Sequence, residues 1–309
     1  MAINYKRRAR IQHIAKRTAI YLLLTCLAYV VVYPLFGRIM YSFMSEADLN
    51  DDSVMLFAKN FTWDNYTKAI EHMDYWSGVF KCAWMALLFS FLQTLSTTLL
   101  SYGIARFNFP GKGLLFTVAI VTLLIPQQIM SIPLYFQFRN FDIFGLLGER
   151  GISLLNTTWP VALLASTGLG LKSGLLVFML RQYFGSFPKE LEEAAAIDGA
   201  GPYGTFIRIV LPSATTMLVT AFLFSFVWYW TDSFNVTVYM PSGKFLQTQV
   251  TSIYDSIATE MSRTNSINIF ERSLINNAAI LLFILPLVCV FLFCQRYFIE
   301  SVERTGIVG

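Results

Sequence analysis

Long apolar stretches separated by polar segments dominate the pattern of this chain. A hydrocarbon core about 30 Å thick requires roughly 20 apolar residues for each helical crossing. Six stretches are of this kind, and the fourth is longer than the others and interrupted. They cover residues 19–43, 79–102, 114–136, 154–184, 209–230 and 274–298. Because they lack the polar residue at every second position that barrel strands show, the pattern predicts an all-α membrane protein with six transmembrane helices.

Composition supports a membrane protein and argues against a water-soluble domain of this length. Hydrophobic residues make up 55% of the 309 residues and charged residues only 14%, with a mean hydropathy of +0.55. A soluble domain of this size would not show that balance. The four cysteines lie in or beside the apolar stretches without metal-ligand spacing, so we expect neither a disulfide nor a metal site. They are Cys26, Cys82, Cys289 and Cys294.

The distribution of basic residues predicts the orientation in a bacterial cell membrane, because Lys and Arg are retained on the cytoplasmic side. The basic residues before the first stretch are Lys6, Arg7, Arg8, Arg10, Lys16 and Arg17. With six crossings, both termini are then cytoplasmic, and the inside segments hold more Lys and Arg than the outside loops. The net charge of +4 therefore reflects membrane topology, and no nucleic-acid partner is expected.

The same pattern divides the chain into three parts. Residues 1–18 form a basic cytoplasmic segment, residues 19–300 a transmembrane domain with an inner loop at 185–208, and residues 301–309 a cytoplasmic tail. A cleaved signal peptide is the alternative for the N-terminus. The first apolar run, however, exceeds the usual core of about 7–15 residues, and no small-residue cleavage site follows it. We therefore expect an uncleaved first span.

The sequence shows no pattern for catalysis. It lacks a phosphate-binding loop of the form G-x-x-x-x-G-K-[ST], and His13 and His72 fall on opposite sides of the predicted membrane. We therefore predict a non-enzymatic chain that binds no cofactor itself. Lys172 interrupts the fourth apolar stretch among glycines, and we expect it to reach the interface or to pair with a neighbouring subunit rather than to take part in transport.

The inner loop at 185–208 carries the signals of a short helix. Pro188 suits a first helical turn, the acidic residues after it complement the positive end of the helix dipole, and Gly199 stops the helix. Four residues at spacings i, i+3, i+4 and i+7 share one face: Leu191, Ala194, Ala195 and Asp198. The small side chains on this face would let another protein approach the backbone closely.

Seven positions in and after this helix follow the spacing E-A-A-x3-G-x9-I-x-L-P. They are Glu193, Ala194, Ala195, Gly199, Ile209, Leu211 and Pro212. In these residues the chain resembles the membrane subunits of binding-protein-dependent ABC importers, which share an "EAA" loop of this form. Other stretches, such as Arg106-Phe-Asn-Phe-Pro-Gly-Lys-Gly and Gln295-Arg-Tyr-Phe-Ile-Glu, resemble the carbohydrate branch of that family, which includes the second membrane subunit of the maltose importer.

The resemblance implies a type I permease fold and a set of partners. These would be a second permease subunit different from this chain, two ATPase subunits that hold ATP and Mg, and an external solute-binding protein. The seven motif residues would then dock a cytoplasmic coupling helix on an ATPase subunit. The resemblance favours a sugar or oligosaccharide as solute, with a polyamine, a peptide or phosphate as alternatives. A secondary transporter or a membrane scaffold would leave the motif unexplained.

Several polar and aromatic residues in the apolar stretches are candidates for a solute path. They are Gln93, Gln127, Gln128, Trp228, Asn276 and Asn277. Amides and aromatic rings suit hydroxyl-rich solutes, but hydrogen bonds between helices and an aromatic belt at the membrane surface explain the same residue types. Both interpretations stay open at the level of sequence.

Overall fold

The computed structural model describes residues 2–143, 145–148, 151–263 and 269–306 of the chain. Its helices are α1 (Ala2–Ser42), α2 (Glu46–Leu49), α3 (Asp64–His72), α4 (Tyr75–Arg106), α5 (Lys112–Val121), α6 (Gln127–Arg139), α7 (Trp159–Ser166), α8 (Ser173–Ser186), α9 (Lys189–Ile197), α10 (Pro202–Thr205), α11 (Leu211–Ser213), α12 (Thr215–Thr231), α13 (Ser233–Tyr239), α14 (Leu246–Arg263) and α15 (Ile269–Gly306). A π-helix, Phe206–Val210, joins α10 to α11. The predicted helical fold class is thus confirmed, while the end of the predicted tail, residues 307–309, lies outside the described residues.

Three of the six predicted spans are continuous helices. The segments Gln12–Ser42, Tyr75–Arg106 and Glu271–Arg296 are long and apolar enough to cross a membrane. They correspond to the first, second and sixth apolar stretches of the sequence. Among the described residues, one further candidate span consists of two helices joined at a bend.

That bent span is the fifth, which the sequence pattern predicts as one unbroken run. The segments Pro202–Ser213 and Thr215–Thr231 meet at an angle of 75°. The bend follows the π-helix and Pro212, and proline cannot donate the backbone hydrogen bond that a regular helix needs at this position. The chain therefore turns sharply where the segment after the inner loop meets α12.

The third predicted span, residues 114–136, is also not one helix. α5 ends at Val121 and α6 begins at Gln127. Pro126 lies in the gap, and a proline disfavours the helical conformation in the residue before it. α6 is the longer of the two with 13 residues, which corresponds to about 20 Å and is too short for a crossing of about 30 Å. The number of six crossings stays a prediction.

The fourth predicted span is broken, as the sequence indicates. α7 ends at Ser166 and α8 begins at Ser173. In the turn between them, Gly168 and Lys172 have positive φ angles of 76° and 51°. A non-glycine residue in this conformation is uncommon, so the contacts of the turn must stabilise the backbone of Lys172.

The chain forms two compact units. The first contains Met1–Met73 and Ser252–Leu282, and the second contains Asp74–Thr251 and Phe283–Gly309. Each has its own packing, and the inner loop and the broken third to fifth spans all belong to the second unit.

In the first unit, the end of α1 is tied to the loop that follows it. The amide of Asn65 donates to the carbonyl oxygens of Ser42 (3.0 Å) and Met44 (2.8 Å). The ring of Phe43 stacks on Phe61 with centroids 4.7 Å apart. This loop, predicted to lie outside the cell, thus has a fixed local structure.

In the second unit, α4 is the central helix and packs against α7, α8 and α12. Small hydroxyl residues connect it to its neighbours. Ser96 Oγ donates to the carbonyl oxygen of Ala165 at 2.6 Å, and Ser101 Oγ donates to that of Val177 at 3.2 Å. Such contacts are typical of helices packed within a membrane, where burial of apolar surface gives little drive for association.

Candidate functional site

The inner loop folds into the short helix that its sequence predicts. α9 covers Lys189–Ile197, with Pro188 as its N-cap residue. Glu190 and Glu192 lie in the first turn, where negative charge stabilises the positive end of the helix dipole.

Gly199 ends this helix, as predicted, in a complete Schellman motif. Its φ angle is +81°, a conformation that glycine adopts without steric cost. The N–H of Ala200 donates to the carbonyl oxygen of Ala195 (2.9 Å), and the N–H of Gly199 donates to that of Ala196 (3.1 Å). These two bonds satisfy carbonyl groups that the end of a helix otherwise leaves unpaired. The three residues between Ala195 and Gly199 thus place the glycine where the Schellman motif requires a positive φ angle.

Arg106, the last residue of α4, anchors this loop. Its guanidinium donates to the carbonyl oxygen of Phe187 and lies over the Phe187 ring, 5.7 Å from the centroid. Its Nε is 3.1 Å from Glu192 Oε1 in α9. One half-buried arginine therefore connects the end of a membrane helix to both the entry and the body of the inner helix.

An apolar cluster lies where the loop meets the membrane helices. It joins α4, α8, the π-helix and α12, and its buried members are Tyr102, Leu176, Leu180, Phe184, Phe187, Phe206, Val210, Ala214, Met217 and Ala221. Ile209 and Leu211 of the motif pack against this cluster. Their apolar character is therefore explained by packing within the chain.

The seven motif residues divide into inward and outward positions. Ala195 is buried within the chain, so the face on which the sequence placed Leu191, Ala194, Ala195 and Asp198 is in part turned inward. Replacing Ala195 by a bulky residue would disturb the chain's own packing instead of testing a docking contact. Glu193, Ala194, Gly199 and Pro212 are exposed.

Sequence reasoning placed Leu191 on the docking face but missed the other apolar residues that the loop exposes. Ile197 is 87% and Tyr203 85% exposed, and Leu191 and Ile207 are also exposed. Glu193 and Ile197 are four residues apart and lie on the side of α9 away from Ala195. The sequence signal for this surface was Ile197, two residues before Gly199. It was overlooked because docking was expected on the face with the small side chains.

Gln93, a candidate for the solute path, is instead fully buried and engaged within the chain. Its Nε2 donates to the carbonyl oxygen of Leu171 at 2.6 Å, and its Oε1 accepts a hydrogen bond from the hydroxyl of Tyr229. Gly170 lies directly beside this pair, because a Cβ there would come within 2.5 Å of both Gln93 Oε1 and the Tyr229 oxygen. Gln93 and Tyr229 thus hold the turn between α7 and α8.

A cavity of about 380 Å³ borders this turn, and its lining is mostly apolar with several polar side chains. The polar side chains include Gln127, Lys172, Ser173, Asn235 and Tyr239, and the apolar walls come from α6, the residues before it, α7 and the turn between α7 and α8. The sequence identified Gln127 as a candidate and singled out Lys172, although not as part of a solute path. Ser173, Asn235 and Tyr239 were not identified, because nothing local in the sequence places them beside Gln127.

The remaining candidates take different positions. Gln128 is exposed, and Asn276 is half-buried. Asn277 Oδ1 accepts a hydrogen bond from Arg38 Nη1 at 3.1 Å, so that amide is engaged within the first unit. The ring of Trp228 lies beneath the ammonium group of Lys172, with 5.1 Å from Nζ to the ring centroid.

The model of one protein family, described as the inner membrane component of binding-protein-dependent transport systems, matches residues 97–304. The chain belongs to this family. The matched segment contains both the inner loop and the residues that line the cavity.

Relatives of this permease family extend the match over most of the chain. The arabinooligosaccharides transport system permease protein of Halalkalibacterium halodurans is 27% identical over 92% of this chain and 93% of its own length. The diacetylchitobiose uptake system permease protein of Streptomyces coelicolor is 26% identical over 89% of this chain and 83% of its own.

A solved structure shows the same permease fold. A chain from the crystal structure of a bacterial ABC transporter involved in the import of the acidic polysaccharide alginate superimposes with a TM-score of 0.68. The superposition covers 91% of this chain and 95% of that one, at 19% sequence identity. The all-α permease fold expected from the sequence is therefore shown.

Proposed function

We propose that this chain is the membrane-spanning permease subunit of an ATP-driven importer that moves a sugar or oligosaccharide delivered by an external binding protein. In this proposal α9 docks on a separate ATPase subunit, which holds ATP and Mg. A second permease subunit completes the path, and both termini of this chain lie in the cytoplasm.

The observation that carries the proposal is a short helix that is firmly attached on one side and exposes a large apolar side chain on its free side. Helices of this length are marginal alone in water, but Arg106, the Schellman motif and the apolar cluster hold α9 in place. Ile197 and Tyr203 are nevertheless almost fully exposed. Large exposed apolar side chains near one another mark a surface that another protein covers.

The attachment of the loop suggests how force reaches the membrane helices. A rigid helix seated in a cleft of the ATPase subunit would move with that cleft when the ATPase pair closes. Arg106 and the apolar cluster would pass this movement to α4, α8 and α12 as a rigid-body rotation, which opens the path to one side of the membrane or the other.

The solute class rests on the relatives. Two permeases that match about nine-tenths of this chain are named for arabinooligosaccharides and for diacetylchitobiose. A polyamine, a peptide or phosphate is the alternative solute, because the inner loop alone does not distinguish among them.

The substitution Ile197→Asp tests the docking surface directly. Burial of an isoleucine contributes about 1.5–3 kcal/mol, so its loss should weaken binding of the ATPase subunit by roughly 10- to 150-fold. We expect the ATPase subunit to be lost during purification of the importer and solute-stimulated ATP hydrolysis to fall, with normal insertion of the permease.

Met55→Asp is the matched control, since Met55 is also 85% exposed but lies in the loop predicted to be outside the cell. It should leave the ATPase subunit bound. If the Ile197 variant keeps the ATPase subunit as firmly as the wild type does, α9 is not the docking helix.

A further inference from the structure

Lys172 occupies a position that the sequence did not suggest. It is the N-cap residue of α8, in the left-handed conformation, and it lines the cavity beside the turn between α7 and α8. Its ammonium group lies over the ring of Trp228, a contact that is electrostatically favourable but leaves N–H donors available. In the described part of the chain, no carboxylate lies within ion-pairing distance of its Nζ.

Ser173, the next residue, supplies an independent observation. It lines the same cavity and is only 2% exposed. Its Oγ has no hydrogen-bond partner among the described residues. A buried hydroxyl without a partner is costly, so a ligand atom in the cavity would satisfy it.

The start of α8 adds positive potential at the same point. α8 has 14 residues, and no side chain caps its start. The N–H groups of Ser173 and Leu175 donate to the backbone carbonyl oxygens of Gly170 (3.2 Å) and Lys172 (3.0 Å), so the helix start favours a bound anion chiefly through the positive end of its dipole. None of the described residues that line the cavity is acidic.

One acidic residue lies near the cavity without lining it. The carboxylate of Asp232 accepts from the backbone N–H of Asn235 at 3.1 Å and from its side-chain amide at 2.7 Å. The Asp232 carboxylate is thus engaged by Asn235. The ammonium group of Lys172 and the start of α8 are left to interact with a ligand.

The remaining walls suit a sugar ring. Gln127 and Asn235 offer amide groups, and Tyr239 offers an aromatic side chain. The volume of about 380 Å³ falls within the range of about 300–1,000 Å³ that is typical of small-molecule sites.

We propose that this cavity is a solute-contact site within this subunit and that it takes a saccharide bearing a carboxylate. Lys172 and the start of α8 would bind the carboxylate, Ser173 would donate a hydrogen bond to it, and the amides would contact the hydroxyl groups. This inference rests on the proposed function, and it narrows the solute from saccharides in general to acidic ones.

The test uses the complete importer with its binding protein, reconstituted in lipid vesicles. The probes are uronic-acid trisaccharides (of galacturonate, glucuronate and mannuronate), each paired with its neutral hexose counterpart. We expect uptake of a uronic-acid trisaccharide by the wild type. Lys172→Met should lower that uptake by about 10-fold or more, the loss of one charge-assisted contact, and Ser173→Ala should lower it less.

Two controls separate binding from folding. Lys172→Arg keeps the charge and should retain most of the uptake. Lys112→Met removes a lysine at the start of α5 that does not line the cavity and should behave as the wild type. Affinity of the separate binding protein for each probe is measured independently, and it is unaffected by changes in this subunit.

The outcomes distinguish this inference from the proposed function. Uptake of neutral trisaccharides only, or unchanged uptake of the acidic ones by Lys172→Met, would overturn the inference and leave a sugar importer. An equal loss for acidic and neutral probes would assign Lys172 a structural role and also overturn it. Transport of a non-saccharide solute with no saccharide uptake would overturn the proposed function, and the inference would fall with it.

Discussion

Removal of the Arg106 anchor should loosen α9 without unfolding the membrane helices. The substitution Arg106→Met keeps an unbranched apolar stem and removes the guanidinium. It deletes the charge-assisted hydrogen bond to the Phe187 carbonyl oxygen, which contributes about 1.5–3 kcal/mol. The side chains of Arg106 and Glu192 are 8% and 23% exposed, so Arg106 is well shielded and Glu192 keeps contact with water.

The ion pair adds less than the hydrogen bond. Arg106 Nε and Glu192 Oε1 are 3.1 Å apart but are not aligned for a hydrogen bond, and partly exposed ion pairs contribute at most about 1 kcal/mol. The free energy of opening the loop should therefore fall by about 1.5–4 kcal/mol. Such a change raises the population of the open loop by roughly 10- to 900-fold.

Amide hydrogen exchange of the purified permease measures this opening. In the Arg106 variant, amides of Lys189–Ile197 should exchange faster by the factor given above, while those in the middle of α4 keep their protection. Glu192→Gln should produce a smaller increase. Lys112→Met serves as control, since Lys112 Nζ is 3.4 Å from Asn108 Oδ1 on an exposed turn. Unchanged exchange in the Arg106 variant would refute the view that this arginine holds the loop.

Three further predictions concern topology and two glycines. A single cysteine at Met55 of an otherwise cysteine-free chain should react with an impermeant thiol reagent from outside, and one at Ile197 should not; the reverse labelling would contradict the orientation. Gly199→Ala should destabilise the end of α9 by roughly 1–2 kcal/mol because of its positive φ, seen as faster exchange confined to the loop. Gly170→Ala should lower thermal stability in detergent by about 1–3 kcal/mol, whereas Gly113→Ala, which meets open space, should not; equal melting of the two variants would exclude close packing at Gly170.

The sequence was sufficient for the fold class and for the short helix of the inner loop. Both depend on local signals, namely apolar runs of sufficient length, Pro188 before the helix and Gly199 after it. The bend before α12 was not predictable, because Pro212 is compatible with the start of a helix and the π-helix has no composition of its own. Ala195 was assigned to the docking face by residue size and Ile197 was passed over, whereas their orientation depends on which side of α9 the rest of the chain covers.

The polar residues were harder to interpret for the same physical reason. Gln93 and Gln127 are chemically identical, yet the first is engaged by Leu171 and Tyr229 and the second lines a cavity. A hydrogen bond between distant segments decides the difference, and a single sequence does not reveal such pairs. Lys172 and Ser173 acquire their position from the turn that Gln93 holds.

α4 contacts two functional segments at different positions along its length. Gln93 is hydrogen-bonded to the turn that bears Lys172, and Arg106 contacts the inner loop through Phe187 and Glu192. Thirteen residues of helix separate them, which corresponds to about 20 Å at 1.5 Å per residue. In the proposed mechanism, a rigid-body movement of α4 along its axis would move both attachments together. The cavity and α9 would then be linked mechanically through this one helix, without a relay of small side-chain rearrangements between them.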